Sequence, residues 1–401
     1  MNSSSFEITD IVREKVAQAV QNLQDQDVDL WITFVRETSQ VKDPTLDLLV
    51  GFDLTWPSAL LIHRSGECIA IAGRYDIANL KGLQVYTEVL GYDESIRTPL
   101  TETIERLKPR QIAVNYSESD PAADGLTYGM FRKLSRMLAS TPYCSRLTSA
   151  EQIIGRLRGC KSPTELALIQ EAINATEMAF QELTAWLRPG LKETEIGDFL
   201  HEYAADRGMG TSWEWEYCPI VNASPDAEVG HRLPGAYVSA RGHLVHVDFG
   251  VSRAGFVSDL QRVWYLAEEG ESEVPSDVQQ AWDAVTATLE AGRAALKPGA
   301  KGWEVDAAAR SALVEAGYEE YLHAFGHHVG RTAHDGATVL GPKWERYGDS
   351  VERTIEVGNV FAIELGAAVP GRGYVGREED VVITENGAEY LSSPQEEVWL
   401  I

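Results

Sequence analysis

The sequence predicts an α+β protein of two domains: a small α/β domain over residues 1–150 and a larger C-terminal domain over residues 151–401. Three observations predict this class. Strand-like runs alternate with helical segments in the first third, a weak internal repeat occupies the rest, and each copy of the repeat precedes a predicted hairpin that carries two acids. A length of 401 residues also exceeds a comfortable single core.

The N-terminal domain is predicted from the runs DLWITFV, ALLIHR and QIAVNY, which are typical of buried strands in a small α/β domain. None carries clustered histidines and acids, so we interpret this domain as a scaffold, a wall that limits the substrate, or a dimer surface. The polar stretch over residues 140–152 predicts the domain boundary. After it, Ser162, Pro163 and Glu165 supply the N-cap, N1 and N3 residues of a long amphipathic helix.

The C-terminal domain contains two similar segments, which align without gaps over residues 187–208 and 296–317. Six of the 22 aligned positions are identical. Each segment predicts a helix end, a Pro-Gly turn and an amphipathic helix that ends at glycine. The simplest architecture is two halves related by a pseudo-two-fold axis, with their hairpins meeting between them.

Two pairs of acids form the candidate site. Asp248 in HVDFG is followed eleven positions later by Asp259, and Glu364 in AIELG is followed fifteen positions later by Glu379. Acids on core-facing strands repel one another and are costly to desolvate, so a cation is needed to neutralise them. Seven of the nine histidines lie in the same region, and we add His327 as the fifth ligand of a site for two divalent metals.

Two metals about 3.5 to 4 Å apart can lower the pKa of a bridging water and polarise a carbonyl. Both effects promote the hydrolysis of an amide. A mostly oxygen shell with one imidazole suits manganese, cobalt, iron or zinc. We expect Asp259 and Glu379 to bridge the ions, and Glu364 to take the proton of the water. His231 and His334 are candidate donors to the developing oxyanion. For His231, a solvent-exposed loop imidazole is the alternative.

Composition excludes some classes of function. A formal net charge of -26 argues against a nucleic acid or an anionic membrane surface as the main partner, because long-range repulsion opposes both encounters. No apolar run approaches the roughly 20 residues that span a bilayer. The four cysteines are scattered and show no CxxC spacing. We therefore expect a protein of the reducing cytoplasm.

These residues resemble the pita-bread metallopeptidases of family M24, which include Xaa-Pro aminopeptidase, prolidase and methionine aminopeptidase. The resemblance covers about residues 150–401, and residues 1–145 more loosely resemble the N-terminal domain of the proline-specific and creatinase branch. It implies a pseudo-two-fold pita-bread catalytic domain, a small peptide substrate, two divalent metals with manganese favoured, and a homodimer. The ligand set that it implies is Asp248, Asp259, His327, Glu364 and Glu379.

The resemblance also implies roles around the ligands. His231 resembles the family's substrate-side histidine, His334 resembles the histidine that contacts the scissile carbonyl, and His323 resembles a residue that lines the proline pocket. Arg377 matches an arginine that precedes the last glutamate by two positions, and we expect it to bind substrate.

The chain departs from the family at two motifs. Residues 364–368 read Glu-Leu-Gly-Ala-Ala where the family commonly has Glu-Pro-Gly-x-Tyr, and Gln261 stands where the family has threonine. Arg331 is an unusual addition. We hypothesise that it pairs with the C-terminal carboxylate of a substrate and favours dipeptides.

Three functions compete. The leading one is a dinuclear metal-dependent exopeptidase that hydrolyses the bond between an N-terminal residue and proline, either in dipeptides (prolidase) or at peptide N-termini (aminopeptidase P-like). The second is a metal-dependent hydrolase or lyase of a small non-peptide metabolite, since creatinase-like N-terminal domains also occur with such activities. The third is a non-catalytic binding protein on the same fold, whose expected mark is erosion of the ligand set, and none is seen.

Overall fold

The computed structural model describes residues 8–401. It divides into two compact units that meet in sequence at Arg158 and Gly159. The sequence places the boundary slightly earlier, at residue 150. The helix Glu151–Gly159 accounts for the difference, because its apolar side chains, such as Leu157, belong to the core of the first unit.

The N-terminal unit is a small α/β domain. Its elements are α1 Ile8–Asp25, β1 Leu30–Val35, α2 Leu46–Leu49, β2 Ser58–His63, β3 Cys68–Gly73, α3 Ile77–Gly82, β4 Glu88–Tyr92, α4 Arg97–Leu107, β5 Ile112–Val114, α5 Tyr128–Leu138, β6 Leu147–Ser149 and α6 Glu151–Gly159. The strands form one mixed sheet of order β4-β3-β2-β1-β5-β6. Apolar cores cover both of its faces, which explains why the strands read as continuous apolar runs.

The C-terminal unit is built around a nine-stranded sheet. Its elements are α7 Pro163–Trp186, α8 Glu193–Asp206, β7 Gly210–Thr211, β8 Ile220–Asn222, β9 Leu244–Phe249, β10 Val251–Arg253, β11 Phe256–Val257, β12 Leu260–Tyr265, α9 Ser276–Ala295, α10 Gly302–Glu315, β13 Gly326–His328, β14 Val339–Leu340, β15 Val360–Val369, β16 Gly373–Thr384, β17 Gly387–Tyr390 and β18 Trp399–Leu400. The large sheet has the order β14-β13-β15-β16-β12-β9-β8, with β17 on β16 and β18 on β12, and β11-β10-β7 form a small second sheet.

The internal repeat is confirmed in the structure. Each copy joins two helices, α7 to α8 and α9 to α10, through a Pro-Gly turn whose glycine, Gly190 or Gly299, has a φ of +92° or +90°. The second helix of each pair begins after Lys192 or Lys301, whose backbone N–H donates to the side chain of Glu195 or Glu304 at 2.8 Å. Each helix pair then leads along the chain to an acid-bearing hairpin, so the same unit occurs twice.

Two long hairpins form the centre of the large sheet. β9 pairs antiparallel with β12 and places Asp248 opposite Gln261, while β15 pairs antiparallel with β16 and places Glu364 opposite Glu378. β12 and β16 pair through Gln261 and Glu378, which joins the two hairpins. Both predicted hairpins are therefore confirmed. Directly opposed side chains of antiparallel strands share a face, so all four of these residues point the same way.

The opposite face of the large sheet packs against an apolar core. Residues that alternate with the acids, such as Ile363 and Val381, enter a core that also contains Trp282 of α9 and Leu313 of α10. This alternation of apolar and acidic residues along one strand is what a sheet with one buried face and one functional face requires.

Two expectations from composition can be compared with the structure. Within residues 8–401, no helix combines the length and the apolar character needed to cross a membrane. Cys68, Cys144, Cys160 and Cys218 are all free thiols, as their scattered spacing predicts.

Candidate metal centre

Acidic side chains from both hairpins converge on one face of the large sheet. Asp248, Glu364 and Glu378 share this face through the strand register, and Asp259, just before β12, joins them. Gln261 lies at the centre, since its backbone pairs with Asp248 on one side and with Glu378 on the other. We call Asp248, Asp259, Glu364 and Glu378, together with His327, the acid cluster.

His327 lies on β13, the strand that its neighbouring glycines predict, and faces three of these acids. Its Nε2 is 3.9 Å from Asp259 Oδ2, 3.8 Å from Glu364 Oε1 and 3.8 Å from Glu378 Oε1. Donor atoms of Asp259, His327 and Glu378 all lie within 4.8 Å of one another. Such separations suit donors arranged around an ion, because each would bind at about 2.0 to 2.2 Å from the metal.

The structure corrects the predicted ligand Glu379, which lies on the opposite face of β16. Its carboxylate accepts hydrogen bonds from Arg262 Nη1 and Nη2 at 3.2 Å each and from Ser392 Oγ at 2.6 Å. Glu378 takes its place in the acid cluster. Because side chains alternate along a strand, an error of one residue moves a side chain to the wrong face of the sheet.

Burial and mutual repulsion oppose ionisation of the acids. Burial, with the neighbouring charge of Glu364, raises the pKa of Asp248. Burial also raises the pKa of Asp259, beside Asp248, and the pKa of Glu378, beside Asp259. Burial lowers the pKa of His327 to about 4, which keeps its imidazole neutral near neutral pH. Metal binding would offset the repulsion among the acids, and a neutral imidazole is the form that binds metal.

Two buried oxygens of the acid cluster, Asp248 Oδ1 and Asp259 Oδ1, have no hydrogen-bond partner. Leaving such atoms without a partner costs roughly 1 to 3 kcal/mol each, and more for a charged group. In the part of the chain that the structure describes, the salt-bridge-range contacts of these acids are with the cluster's own His327, whose imidazole is neutral near neutral pH. The donor set therefore fits a divalent cation.

Two further predicted histidines lie beside the acid cluster. The ring of His334 meets that of His327 edge-on, with centroids 4.4 Å apart. The charge of His327, together with burial, lowers the pKa of His334 to about 4. His231 lies on an exposed loop and lines the same cavity. Both are placed within the site, and their role as donors to an oxyanion stays a prediction.

A buried ion pair fixes the loop that carries His334. Lys161 Nζ donates to Asp335 Oδ2 at 2.7 Å, and the two side chains are 0% and 4% exposed. The same Asp335 oxygen accepts a hydrogen bond from the backbone N–H of Arg331 at 2.9 Å. A Cβ at Gly330 would lie 2.0 Å from that oxygen, so the loop needs glycine there.

Two side chains to which the sequence assigns no role hold the acids in place. Asp380 Oδ2 accepts a hydrogen bond from the backbone N–H of Asp259 at 3.1 Å, and burial raises the pKa of Asp380. Gln261 Nε2 donates to Glu364 Oε2 and to Glu378 Oε2, both at 2.9 Å. The alternation that starts from Glu378 would have placed Asp380 on the same face.

A cavity of about 880 Å³ contains the acid cluster, and its wall includes Trp213 and Tyr217. These aromatics belong to the segment WEWEY, which forms a turn and not the strand that its alternation favours. Its third aromatic, Trp215, stacks on His201 with ring centroids 4.3 Å apart. A smaller cavity of about 200 Å³ shares Asp248 with the large one.

A family model matches residues 167–385, a range that includes both hairpins and the whole acid cluster. The chain belongs to metallopeptidase family M24. Over 314 residues it is 26% identical to the uncharacterized peptidase YqhT of Bacillus subtilis, an alignment that covers 77% of this chain and 80% of the relative. Over 384 residues it is also 26% identical to an uncharacterized peptidase of Staphylococcus saprophyticus, with 94% and 99% covered.

Solved structures show the same fold for this M24 metallopeptidase. An Xaa-Pro dipeptidase from Bacillus anthracis superposes with a TM-score of 0.73 at 21% identity, covering 97% of this chain and 100% of that one. An X-Pro aminopeptidase from Thermotoga maritima superposes with a TM-score of 0.70 at 22% identity, covering 96% and 99%. The predicted pita-bread fold with an additional N-terminal domain is confirmed.

Two arginines predicted to bind substrate lie away from the cavity of this M24 metallopeptidase. Arg377 is 4% exposed and donates to Thr286 Oγ1 at 2.7 Å and to the Gln395 carbonyl at 2.6 Å, on the face opposite the acid cluster. The predicted role of Arg377 in substrate binding is wrong because its side chain, like that of Glu379, lies on the other face of β16. The Arg331 guanidinium lies over the Phe256 ring, 4.7 Å from the centroid, a position that argues against the predicted contact with a substrate carboxylate.

His323, the predicted proline-pocket residue, lines the smaller cavity together with Tyr374 and Leu365. Its Nδ1 lies 2.7 Å from the Ala324 carbonyl oxygen, and its ring centroid is 5.0 Å from that of Tyr321. The structure therefore places His323 at the edge of the site, where its predicted contact with proline stays a prediction.

Proposed function

We propose that this M24 metallopeptidase is a dinuclear exopeptidase that hydrolyses the bond between an N-terminal residue and proline. The observation that carries the proposal is the acid cluster: four acids and one imidazole on one sheet face, with two buried carboxylate oxygens that have no hydrogen-bond partner. The solved Xaa-Pro dipeptidase and X-Pro aminopeptidase share the fold and supply the substrate class of the proposal. Manganese is the favoured metal, with cobalt and zinc as alternatives.

In this proposal the returning strands supply the shared ligands. Asp259 and Glu378, with Glu378 in place of Glu379, would hold the ions together with Asp248, Glu364 and His327. When bound, two divalent ions lower the pKa of a water and polarise the scissile carbonyl. Glu364 is 25% exposed at its side chain, so its carboxylate is accessible to take a proton from that water.

His334 and His231 are proposed to orient the substrate. The lowered pKa of His334, about 4, keeps its ring neutral near neutral pH, and a neutral imidazole still donates one hydrogen bond. That bond is directed to the carbonyl oxygen of the scissile amide. His231, which lines the same cavity, is proposed as a second donor.

The cavity walls favour a peptide that continues beyond proline over a free dipeptide. Among residues 8–401, no lysine or arginine lines either cavity. A dipeptide would place its terminal carboxylate near the acids without a cationic side chain as partner, and such a carboxylate would be costly to bind. We therefore propose aminopeptidase P-like cleavage of longer peptides as the main activity.

The test is a substrate panel assayed with purified protein in the presence of Mn²⁺, Co²⁺ or Zn²⁺ and after chelation. The panel contains Xaa-Pro dipeptides, Xaa-Pro amides, longer Xaa-Pro peptides and dipeptides without proline. Metal-dependent turnover that requires proline supports the proposal, and faster cleavage of amides and longer peptides supports the preference. Bound metal without peptide turnover would instead favour a non-peptide metabolite as substrate, and no metal uptake would favour a binding protein.

We further propose that the protein is a homodimer that acts on small peptides and uses neither nucleic acid nor membrane as a partner. The formal net charge of -26 supports the last two points. Light scattering of the purified protein gives the mass in solution, and a mass near one chain of 44.2 kDa would contradict the dimer.

A further inference from the structure

Gln261 lies between the acid cluster and a buried histidine, His246. Both side chains are buried, at 6% and 3% exposure. The Gln261 amide nitrogen faces the carboxylates of Glu364 and Glu378, while its Oε1 lies 2.9 Å from His246 Nε2. Carboxylates ionised for metal binding only accept hydrogen bonds, so the amide points its N–H groups at the glutamates and its oxygen at the histidine. Burial lowers the pKa of His246 to about 4, so its imidazole is neutral, and the tautomer with its one proton on Nε2 donates to this oxygen.

His246 is itself held from two sides. On one side its Nδ1, which carries no proton in that tautomer, lies 3.0 Å from the side-chain amide of Asn222. The Tyr374 ring packs edge-on against the imidazole, with centroids 5.3 Å apart. The imidazole consequently has little freedom to turn, which leaves the Gln261 amide with one orientation.

Gly376 provides the space that these two side chains occupy. A Cβ at this position would lie 2.4 Å from His246 Nε2 and 2.6 Å from Gln261 Oε1. The absence of a side chain at Gly376 therefore lets His246 and Gln261 meet beside the glutamates.

We propose that Gln261, oriented by His246, is a positioning residue of the metal centre. Its two N–H groups hold Oε2 of Glu364 and of Glu378, and they leave Oε1 of each glutamate facing His327 at 3.8 Å. Without these bonds the two like-charged carboxylates would turn away from each other before an ion arrives. The inference rests on the metal site of the proposed function and predicts a role in metal affinity that is separate from turnover.

Calorimetric titration of the metal-free full-length protein with Mn²⁺ tests this role. Gln261→Met keeps an unbranched side chain of similar length and removes both donors. We expect this substitution to raise the Kd for Mn²⁺ about tenfold or more, the range seen when a partner that orients a metal ligand is lost. The unfolding temperature of the metal-free variant should fall no further than that of the control variant.

The matched control is Gln395→Met. Gln395 is also buried, at 3% exposure, but its side chain bonds only backbone groups of Val263 and Glu397. The Gln395→Met variant should be less stable than the unmodified protein and should keep its affinity for Mn²⁺. If Gln261→Met does not fold, Gln261→Asn, which is too short to reach both glutamates, replaces it.

A loss of Mn²⁺ affinity smaller than tenfold in the Gln261 variant, or an equal loss in the Gln395 variant, would overturn the positioning role. Absence of Mn²⁺ binding by the unmodified protein would instead overturn the metal centre itself. The two failures are therefore distinguishable without any measurement of peptidase activity.

Discussion

Glu378 and Glu379 are neighbours on β16, yet their carboxylates lie on opposite faces of the large sheet. Glu379 meets Arg262, an arginine that is 2% exposed, and accepts further hydrogen bonds from the Ser392 hydroxyl and the Gln395 backbone. Glu378 meets other acids, the His327 ring and the Gln261 amide. One face has a cation for its glutamate, and the other has a surplus of negative charge.

The difference shows where stability and function separate in this fold. On the face of Glu379 the protein supplies the counter-charge itself, so the ion pair of Glu379 and Arg262 stabilises the fold. On the face of the acid cluster, the described residues supply metal-binding atoms and a neutral imidazole but no ion pair with lysine or arginine, and burial raises the pKa of Asp248, Asp259 and Glu378. A site that concentrates like charges in this way is stable only when a cation or protons compensate.

The largest expected effect comes from exchanging the two glutamates for glutamine. Glu378→Gln should lower kcat/KM of metal-dependent peptide hydrolysis by about a hundredfold or more, because even partners that only orient ligands are worth 10- to 100-fold. Glu379→Gln should instead lower the free energy of unfolding by about 3 to 5 kcal/mol, because it leaves buried Arg262 without its ionic partner. Kinetics and urea unfolding of both variants measure the two effects. Equal losses of activity per folded molecule would remove the distinction between the faces.

Metal should stabilise the protein through the acid cluster alone. At a free Mn²⁺ concentration of about 100 times the Kd, the free energy of unfolding should rise by about 2.7 kcal/mol. Asp259→Asn removes a proposed shared ligand and should abolish this increase, while Glu379→Gln should retain it from a lower starting stability. Thermal melts with and without Mn²⁺ provide the comparison. An increase that survives in Asp259→Asn would place the bound metal elsewhere.

The affinity for Mn²⁺ should rise with pH. Metal binds the ionised carboxylates, and the raised pKa values of Asp248, Asp259 and Glu378 make protons compete above the ordinary carboxyl range of about 4. His327, with its pKa lowered to about 4, stays neutral above about pH 5 and adds no competition there. Titrations at several values between about pH 5 and about pH 8 should show tighter binding and proton release at each step. A pH-independent Kd over this range would contradict the account.

The smallest effect is expected from Arg331→Ala. Its guanidinium packs on Phe256 and lines neither cavity, so the ratio of kcat/KM for an Xaa-Pro dipeptide to that for the matching tripeptide should change less than about threefold, which corresponds to under 1 kcal/mol. A large fall in the dipeptide rate alone would revive the hypothesis that Arg331 binds the carboxylate. Arg253→Ala, on the exposed neighbouring hairpin, is a matched control.

Much of the fold and part of the site can be predicted from sequence. The repeat, its Pro-Gly turns and the two hairpins depend on local chemistry that is visible in a single chain. Asp248, Asp259, His327 and Glu364 come together as the sequence predicts. The buried pair of Lys161 and Asp335 could not be predicted, because it joins distant segments that share no motif.

The error at Glu379 has a physical origin. REED offers two adjacent glutamates, and acidity alone does not tell them apart. The turn does: Glu364 pairs with Glu378 when the hairpin is centred on Gly371, whose φ of +74° makes it the turn residue. The sequence-based choice took the second glutamate, and the arginine matched with it, Arg377, lies on the other face as well. Turn geometry is therefore the stronger guide to strand register in this hairpin.

Anomalous diffraction from crystals loaded with Mn²⁺ would locate the ions of the proposed metal centre. We expect two peaks on one face of the large sheet, with Gln261 bonded to both glutamates behind them. The ligand contacts should come from Asp248, Asp259, His327, Glu364 and Glu378. Peaks in contact with Glu379, or no peak beside His327, would contradict the proposed centre.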